Sequence, residues 1–562
     1  MQKGRIVFLI ILTGMIFGEL AAQEDMFGNS RISGNFQVDM QTYKKDSLIG
    51  APDVDEKILS NGFLWLTYTS NNFNAGLRYE NYLNPILGID KRYKGSGIAY
   101  RYAEFTSEFI DVTAGNFYEQ FGSGIIFRSY QEYALGYDNA MEGLRVRFRP
   151  AEGIEIKGII GKQRKFWTLG EGIVRGGDAG ININESMPGL LPDDYQLSFG
   201  GSVVSKFQQD QESRYNLPEN VLMWSGRFSL TGSEFSLDGE YGCKNPDPAA
   251  ANDFNFNPGN ALLINASYFT SGFGASLNFH RNDNMDIRSD RNELGNQLLM
   301  NFLPPLTKQH TYALASMYPY ATQLNGEAGF QAEAVYTIPR KTIIGGQYGT
   351  NISLNYSQVN SIVKNPVDVD TITGQVFTYD SPFFEFGDDT YFREFNLEIT
   401  RKFSKEFKTV FTYLNQLYDR DVLESEGSAH YGKVHSDILI ADLTYKFTSK
   451  YALRTEIQHM WATQDSIAEV DGDKQYGDWL AVLMEMTISP NWYISLTDQW
   501  NYGNDEEDLK IHYITGAVTY VHDATRVSLG FGRQREGIIC VGGVCRQVPA
   551  SNGFFMSISS SF

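Results

Sequence analysis

The stretch RISGNFQVDMQTY, residues 31–43, alternates almost without a break. Ile32, Gly34, Phe36, Val38, Met40 and Thr42 share one parity, and Arg31, Ser33, Asn35, Gln37, Asp39, Gln41 and Tyr43 share the other. Successive side chains of a strand point to opposite faces, so this segment sets one face against an apolar medium and the other against water. The apolar medium is either a second sheet or lipid.

The pattern recurs along the chain. FNAGLRY (73–79), GLRVRFRP (143–150), YQLSFGGSV (195–203), FSLDGEY (235–241), QYGTNISLNYS (347–357), FNLEITRKF (395–403), LIADLTYKF (439–447) and VSLGFG (527–532) all keep the two-residue period. A soluble sandwich shows such alternation too. Three features favour lipid. First, tight turns at Ser70-Asn71-Asn72, Pro150-Ala151-Glu152, Gly232-Ser233, Ser271-Gly272, Ser404-Lys405, Ser449-Lys450 and Ser489-Pro490-Asn491 are separated by long polar loops. Outer-membrane barrels pair short periplasmic turns with longer extracellular loops in this way. Second, the C-terminal GFFMSISSSF ends on an aromatic, with Phe554, Met556, Ile558 and Phe562 on one parity, the kind of strand that barrel-assembly machinery engages. Third, counting back from that strand puts Cys540–Cys545 in an outer loop, 522–524 in a periplasmic turn and 464–477 in an outer loop. The count reaches Arg31 if one irregular strand lies near 171–185, and the tally is then about 24 strands (22–26), even as single-chain bacterial barrels require. The expected fold is an all-β transmembrane antiparallel β-barrel with long outer loops, some folded into the lumen, and aromatic girdles at the strand ends.

Whole-chain properties agree with this reading. Lys3 and Arg5 precede the apolar run IVFLIILTGMIFG and then Leu20-Ala21-Ala22-Gln23, which reads as a secretory signal over 1–23. Residues 24–562 read as one domain, since Gly, Tyr and Phe are spread evenly and no Pro- or Ser-rich linker interrupts them. Mean hydropathy is −0.31, yet a spanning strand needs only about 9–11 residues and only its outward half must be apolar. The localisation expected is the outer membrane. A formal net charge of −20 argues against nucleic acid as a partner, because phosphate binding rests on a basic surface. The acid is expected in solvated loops such as 193–196, 385–389 and 504–508.

Of the three cysteines, Cys540 and Cys545 flank Val541-Gly542-Gly543-Val544. Gly-Gly favours a two-residue hairpin turn, which places the two thiols opposite one another within disulfide reach. Cys243 has no sequence-near partner and reads as a buried free thiol.

Three longer stretches, GNFYEQFGSGIIFRSYQEYALGYDNAMEGLRV (115–146), MNFLPPLTKQHTYALASMYPYATQLNGE (300–327) and GRQREGIICVGGVCRQVPASNGFFMSISSSF (532–562), resemble a family of Bacteroidota outer-membrane proteins catalogued as a domain of unknown function. The resemblance implies an outer-membrane barrel and brings no agreed activity.

So wide a barrel needs an obstruction. An N-terminal plug like that of TonB-dependent receptors is not expected, because few residues separate the signal from the first strand. Two loops are the candidates. In 119–139, Gly122 and Gly124 permit a sharp inward turn beside Glu119, Phe121, Arg128 and Tyr130. In 301–323, Pro304, Pro305 and Pro319 fix the course of an apolar segment that also carries His310 and Tyr318. Arg145, Arg147, Arg149 and Lys157 form a basic strip on the polar parity of two adjacent strands. The strip either selects anions or is neutralised by carboxylates such as Glu119, Glu132 and Glu155. Arg454, Glu456 and Gln458 share another inward parity.

No metal or organic cofactor is called for. The seven histidines (His280, His310, His430, His435, His459, His512 and His522) fit no nucleophile motif or metal-ligand spacing, so no enzyme is expected. The function expected is a plugged or gated porin-like channel for solutes. The alternative is a non-enzymatic scaffold or accessory subunit of an envelope machine, binding protein partners through its outer loops.

Overall fold

The computed structural model describes residues 30–212, 214–367, 379–424, 431–465, 473–541 and 544–562. The segment read as a signal, 1–23, and His430 lie outside the described residues. The alternating segments form a 24-stranded antiparallel sheet closed on itself. The first strand, Ser30–Gln41, pairs with Leu59–Ser70 on one side and with the last strand, Ser551–Ser561, on the other, so that Phe36 faces Leu64 and Ser560. Every other barrel strand pairs with its neighbours in the chain, which leaves the sheet without an open edge.

Strands run from the eight residues of Ile110–Phe117 to the seventeen of Phe386–Lys402. A twelve-residue strand such as Phe73–Asn84 is about 40 Å long and, tilted by about 45°, rises about 28 Å, close to the thickness of a bilayer's hydrocarbon. One parity of each strand is exposed and apolar: Ile32, Leu144, Phe148, Ile156, Ile160, Phe199, Phe411, Leu439, Ile457 and Phe531 belong to it. Phe36, Val146 and Leu397 lie on this outward parity and none is buried. The opposite parity, with Arg145, Arg147 and Glu456, faces the interior. Beside the short turns aromatic rings pair up, Phe403 with Phe407 at 5.7 Å, Tyr445 with Phe447 at 5.0 Å and Trp492 with Tyr520 at 4.7 Å. A girdle thus marks that rim.

Short and long connections alternate with three exceptions. Phe166-Trp167 makes a tight turn on the long-loop rim, while 183–195 and 339–349 are longer connections on the short-turn rim. The irregular strand is Thr168–Asn182, whose register against Ile154–Lys165 shifts between Leu169 and Ile173. The Ser289 carbonyl presses against Gly172 so closely that a side chain there would overlap it. The turn expected at Pro150-Ala151-Glu152 sits later, because Met141–Ala151 runs on to Ala151.

Other expectations need correction. Cys243 is free but only partly buried, since it stands on the outward parity of Phe235–Lys244. The acid is not confined to loops: Glu80, Glu240, Glu327, Glu394 and Glu456 are buried in the interior, where cations and amides bind them. Within the stretch 385–389, Phe386 onward already belongs to a strand.

Candidate functional site: the loop-filled lumen

The interior is filled by the chain's own loops. Segment 118–140 turns inward at Gly122 and Gly124, whose φ values of 53° and 98° suit glycine. A Cβ on Gly122 would lie 2.5 Å from Glu240 Oε1. Glu240 accepts hydrogen bonds from the Ser123 N–H at 2.7 Å and from the Ser225 hydroxyl at 2.8 Å. Phe121, Ile125, Ile126 and Phe127 are fully buried with Val174, Val204, Met223 and Leu263 of the surrounding wall. Arg128 stacks between the rings of Tyr130 and Phe302, 4.2 and 4.1 Å from their centroids.

Glu119 carries this loop onto the basic strip. Arg147 Nη2 donates to Glu119 at 2.7 Å, and Lys157 Nζ and Arg145 Nη1 lie 3.4 and 3.7 Å from it. Arg145 also reaches Glu104 at 2.7 Å, and Arg149 reaches Asp111 at 2.6 Å and Glu155 at 3.5 Å. Glu132 takes no part. Its carboxylate instead accepts from the Ala134 N–H at the start of a short helical turn, Tyr133–Leu135.

A second anchor was not singled out from sequence. Arg78 and Glu80 on one strand, Arg164 on another and Asp138 in the loop form a buried quartet of two guanidiniums and two carboxylates. Arg78 Nε lies 2.6 Å from Glu80, Arg164 bridges Glu80 at 2.7 Å and Asp138 at 2.6 Å, and Arg78 also pairs with Asp138. Tyr118 donates to Asp138 at 3.0 Å. Burial alone raises the Asp138 pKa, but Arg78 and Arg164 outweigh it and hold the carboxyl below its ordinary value. The available signal was that Arg78 and Glu80 stand on the inward parity with Trp65 and Tyr100 as cross-strand neighbours of Arg78. Neither ring carries a counter-charge, so besides Glu80 on its own strand the second carboxylate, Asp138, comes from the lumenal loop.

The long segment 284–325 crosses the lumen. Its first part joins the other loop backbone to backbone: the Arg128 N–H donates to the Met300 carbonyl at 2.7 Å and the Phe302 N–H to the Gly124 carbonyl at 2.9 Å. Past Pro304-Pro305 it packs on the opposite wall. There His310 lies 2.9 Å from Glu394 and Lys308 3.3 Å from Glu398. The Leu314 N–H donates to Gln458 at 2.9 Å, and Gln416 donates to the Tyr318 carbonyl at 3.3 Å. Leu314, Met317, Tyr318 and Tyr320 are buried among Phe392, Leu414, Tyr418, Ile438 and Met460. On the same wall Arg454 pairs with Asp442 at 2.9 Å and with Glu456, whose carboxylate also accepts from Gln458 at 3.0 Å.

Over this segment lies a hairpin, Gly537–Val541 with Val544–Val548, in which Cys540 faces Cys545 and the two form a disulfide. Asn296 donates to the Cys545 carbonyl at 2.7 Å. Between hairpin and crossing segment is a cavity of about 510 Å³ lined by Pro304, Pro305, Lys308, His310, Tyr318, Pro319, Arg535 and Ile538 among others. Among the described residues, no group of three His, Cys, Asp or Glu side chains is placed to hold a metal ion.

These features define a closed 24-stranded β-barrel whose lumen is occupied by two of its own loops. The chain belongs to a family of unknown function, DUF6029, whose description matches residues 1–562. No curated protein matches it. Among solved structures it is similar to the siderophore receptor PirA from Pseudomonas aeruginosa (9% identity, 95% of this chain and 80% of that one, TM-score 0.41). It is also similar to the P pilus usher PapC translocation pore (9%, 94% and 99%, 0.40) and the copper transporter OprC (7%, 96% and 82%, 0.41).

Proposed function

We propose that this protein is an outer-membrane channel for solutes, held shut at rest by segments 118–140 and 284–325. The observation that carries the reading is the way the two segments meet. They come from different walls, join through backbone hydrogen bonds between 124–128 and 300–302, and are fastened to the barrel by ion pairs and amide contacts rather than by covalent links. Buried apolar packing holds them as well, and the open state proposed is the one in which these non-covalent contacts are released. The apolar outward parity and the strand length suit a bilayer.

Current through planar lipid bilayers tests this. The intact barrel is expected to conduct rarely and in brief steps. A variant with 119–139 replaced by a short glycine-serine linker is expected to hold a steady conductance several-fold larger. A barrel that folds and carries no current in either form is not a channel, and the scaffold reading then takes its place.

A further inference from the structure

The cavity under the disulfide hairpin combines apolar faces with a polar side formed by Thr307, Gln309 and Gln416, and carries one unusual charge. Pro304, Pro305, Tyr318, Pro319, Ile538 and Ile539 give it apolar and aromatic faces. Its volume, about 510 Å³, is within the range of about 300–1,000 Å³ usual for small-molecule sites. Two cations and a histidine reach it. Lys308 and His310 are engaged with wall carboxylates, Glu398 at 3.3 Å and Glu394 at 2.9 Å. Arg535 differs, because among the described residues it faces no carboxylate within ion-pairing distance. Its Nε donates to the Gln499 side-chain carbonyl at 3.3 Å and its Nη1 to the Glu536 main-chain carbonyl at 3.2 Å. The nearby Glu424 lies 2.9 Å from Arg420, which also pairs with Asp473 at 2.5 Å, so Glu424 acts on Arg535 only at longer range, and the Glu536 carboxylate lies 4.0 Å from Lys474. Burial pulls the Arg535 pKa below the ordinary arginine value and outweighs the opposing pull of Tyr318, Tyr513 and Glu424. Arginine keeps its proton at physiological pH, so a positive charge stands in the cavity wall with no carboxylate in direct contact among the described residues.

The guanidinium is also seated. A Cβ on Gly537 would lie 2.6 Å from Arg535 Nη1, so the absence of a side chain at 537 lets the planar group lie against the hairpin backbone.

We propose that this cavity binds a small amphipathic carboxylate, its apolar body against the proline and tyrosine faces and its carboxylate on the Arg535 guanidinium. The assignment deepens the channel reading and rests on it, since it names the class of solute the closed lumen holds. A carboxylate is the fitting anion. It supplies the directly contacting carboxylate that Arg535 lacks among the described residues, and its two oxygens match the planar N–H edge of a guanidinium.

Calorimetric titration of the folded barrel in phosphatidylcholine nanodiscs, with empty nanodiscs subtracted, tests the site. The probes are 4-phenylbutyrate and its uncharged counterpart 4-phenylbutan-1-ol. The acid is expected to bind saturably, one per barrel, and at least tenfold more tightly than the alcohol. Arg535→Gln is expected to abolish that preference. Gly537→Ala keeps the charge but displaces Nη1, and is expected to weaken the acid several-fold while barrel folding, read by heat-dependent gel mobility, is unchanged. Equal binding of acid and alcohol, no saturable binding of the acid, or an Arg535→Gln variant with the preference intact overturns the proposal. Titration involves no ion flow, so its failure is distinguishable from failure of the channel reading. Binding without conductance removes the channel, and conductance without binding removes the site.

Discussion

Asp138 is the residue on which the docking of the first loop turns. It shares two guanidiniums with Glu80, and the four charges cancel in a place water does not reach. Removing one member leaves a buried charge uncompensated, which costs about 3–5 kcal/mol. Asp138→Asn is therefore expected to free segment 118–140, seen as protease cleavage within that segment while the barrel strands stay resistant. The pH dependence follows from the same residue. Its carboxyl titrates below the ordinary aspartate value in the docked state. The stabilisation is thus complete above the undocked value, about 3.9, and is lost as the pH falls through the depressed one. Open probability in bilayers is expected to stay flat from pH 8 to about pH 5 and to rise only in stronger acid, below the ordinary aspartate value. A rise centred near neutral pH contradicts this assignment.

Among the elements, strands and loops were legible to different degrees, for a physical reason. A strand such as Met141–Ala151 declares its two faces locally, because Leu144, Val146 and Phe148 alternate with Arg145, Arg147 and Arg149. Counting parities along the chain then needs no knowledge of the third dimension. Even the irregular strand was locatable, though its shift falls at Leu169–Ile173, at the near edge of the segment expected, where Ser289 of a distant loop packs against Gly172. Loops have no period. Pro304, Pro305 and the apolar run after them marked 301–323 as unusual, but nothing local could pair His310 with Glu394 or Leu314 with Gln458. Those partners meet only once the barrel has closed. The hairpin at 537–548 is the exception, since its turn and register are local, and it allows a separate prediction. Its disulfide closes a loop so short that chain entropy gives it only about 2 kcal/mol. Cys540→Ser with Cys545→Ser is expected to speed hydrogen exchange across the hairpin and leave protection of the 24 strands unchanged. A general loss of protection would mean that the hairpin holds the barrel together, which its position above the crossing segment does not suggest.

For the whole molecule, two neighbouring residues separate the two media. Val146 and Arg147 are adjacent in the middle of one strand and point to opposite sides of the wall. Arg147 reaches Glu119, whereas Val146 lies on the outward parity between the exposed Leu144 and Phe148. If hydrocarbon covers the outer belt, Val146→Arg places a charge near the bilayer midplane at a cost of about 2–4 kcal/mol. Arg147→Gln one position on removes an ion pair from the loop anchor and leaves the lipid face untouched. In urea titrations of folding into lipid vesicles, scored by heat-dependent gel mobility, Val146→Arg is expected to lower the transition midpoint clearly. Arg147→Gln is expected to leave that midpoint nearly in place while raising the conductance of the folded barrel. The same contrast should appear for Leu397→Arg against a neutral change at Glu398, whose side chain faces Lys308. Were Val146→Arg and Leu397→Arg to leave the midpoint as unmoved as their inward neighbours do, the wall would have two wet faces. The closed sheet would then be something other than a boundary between lipid and lumen.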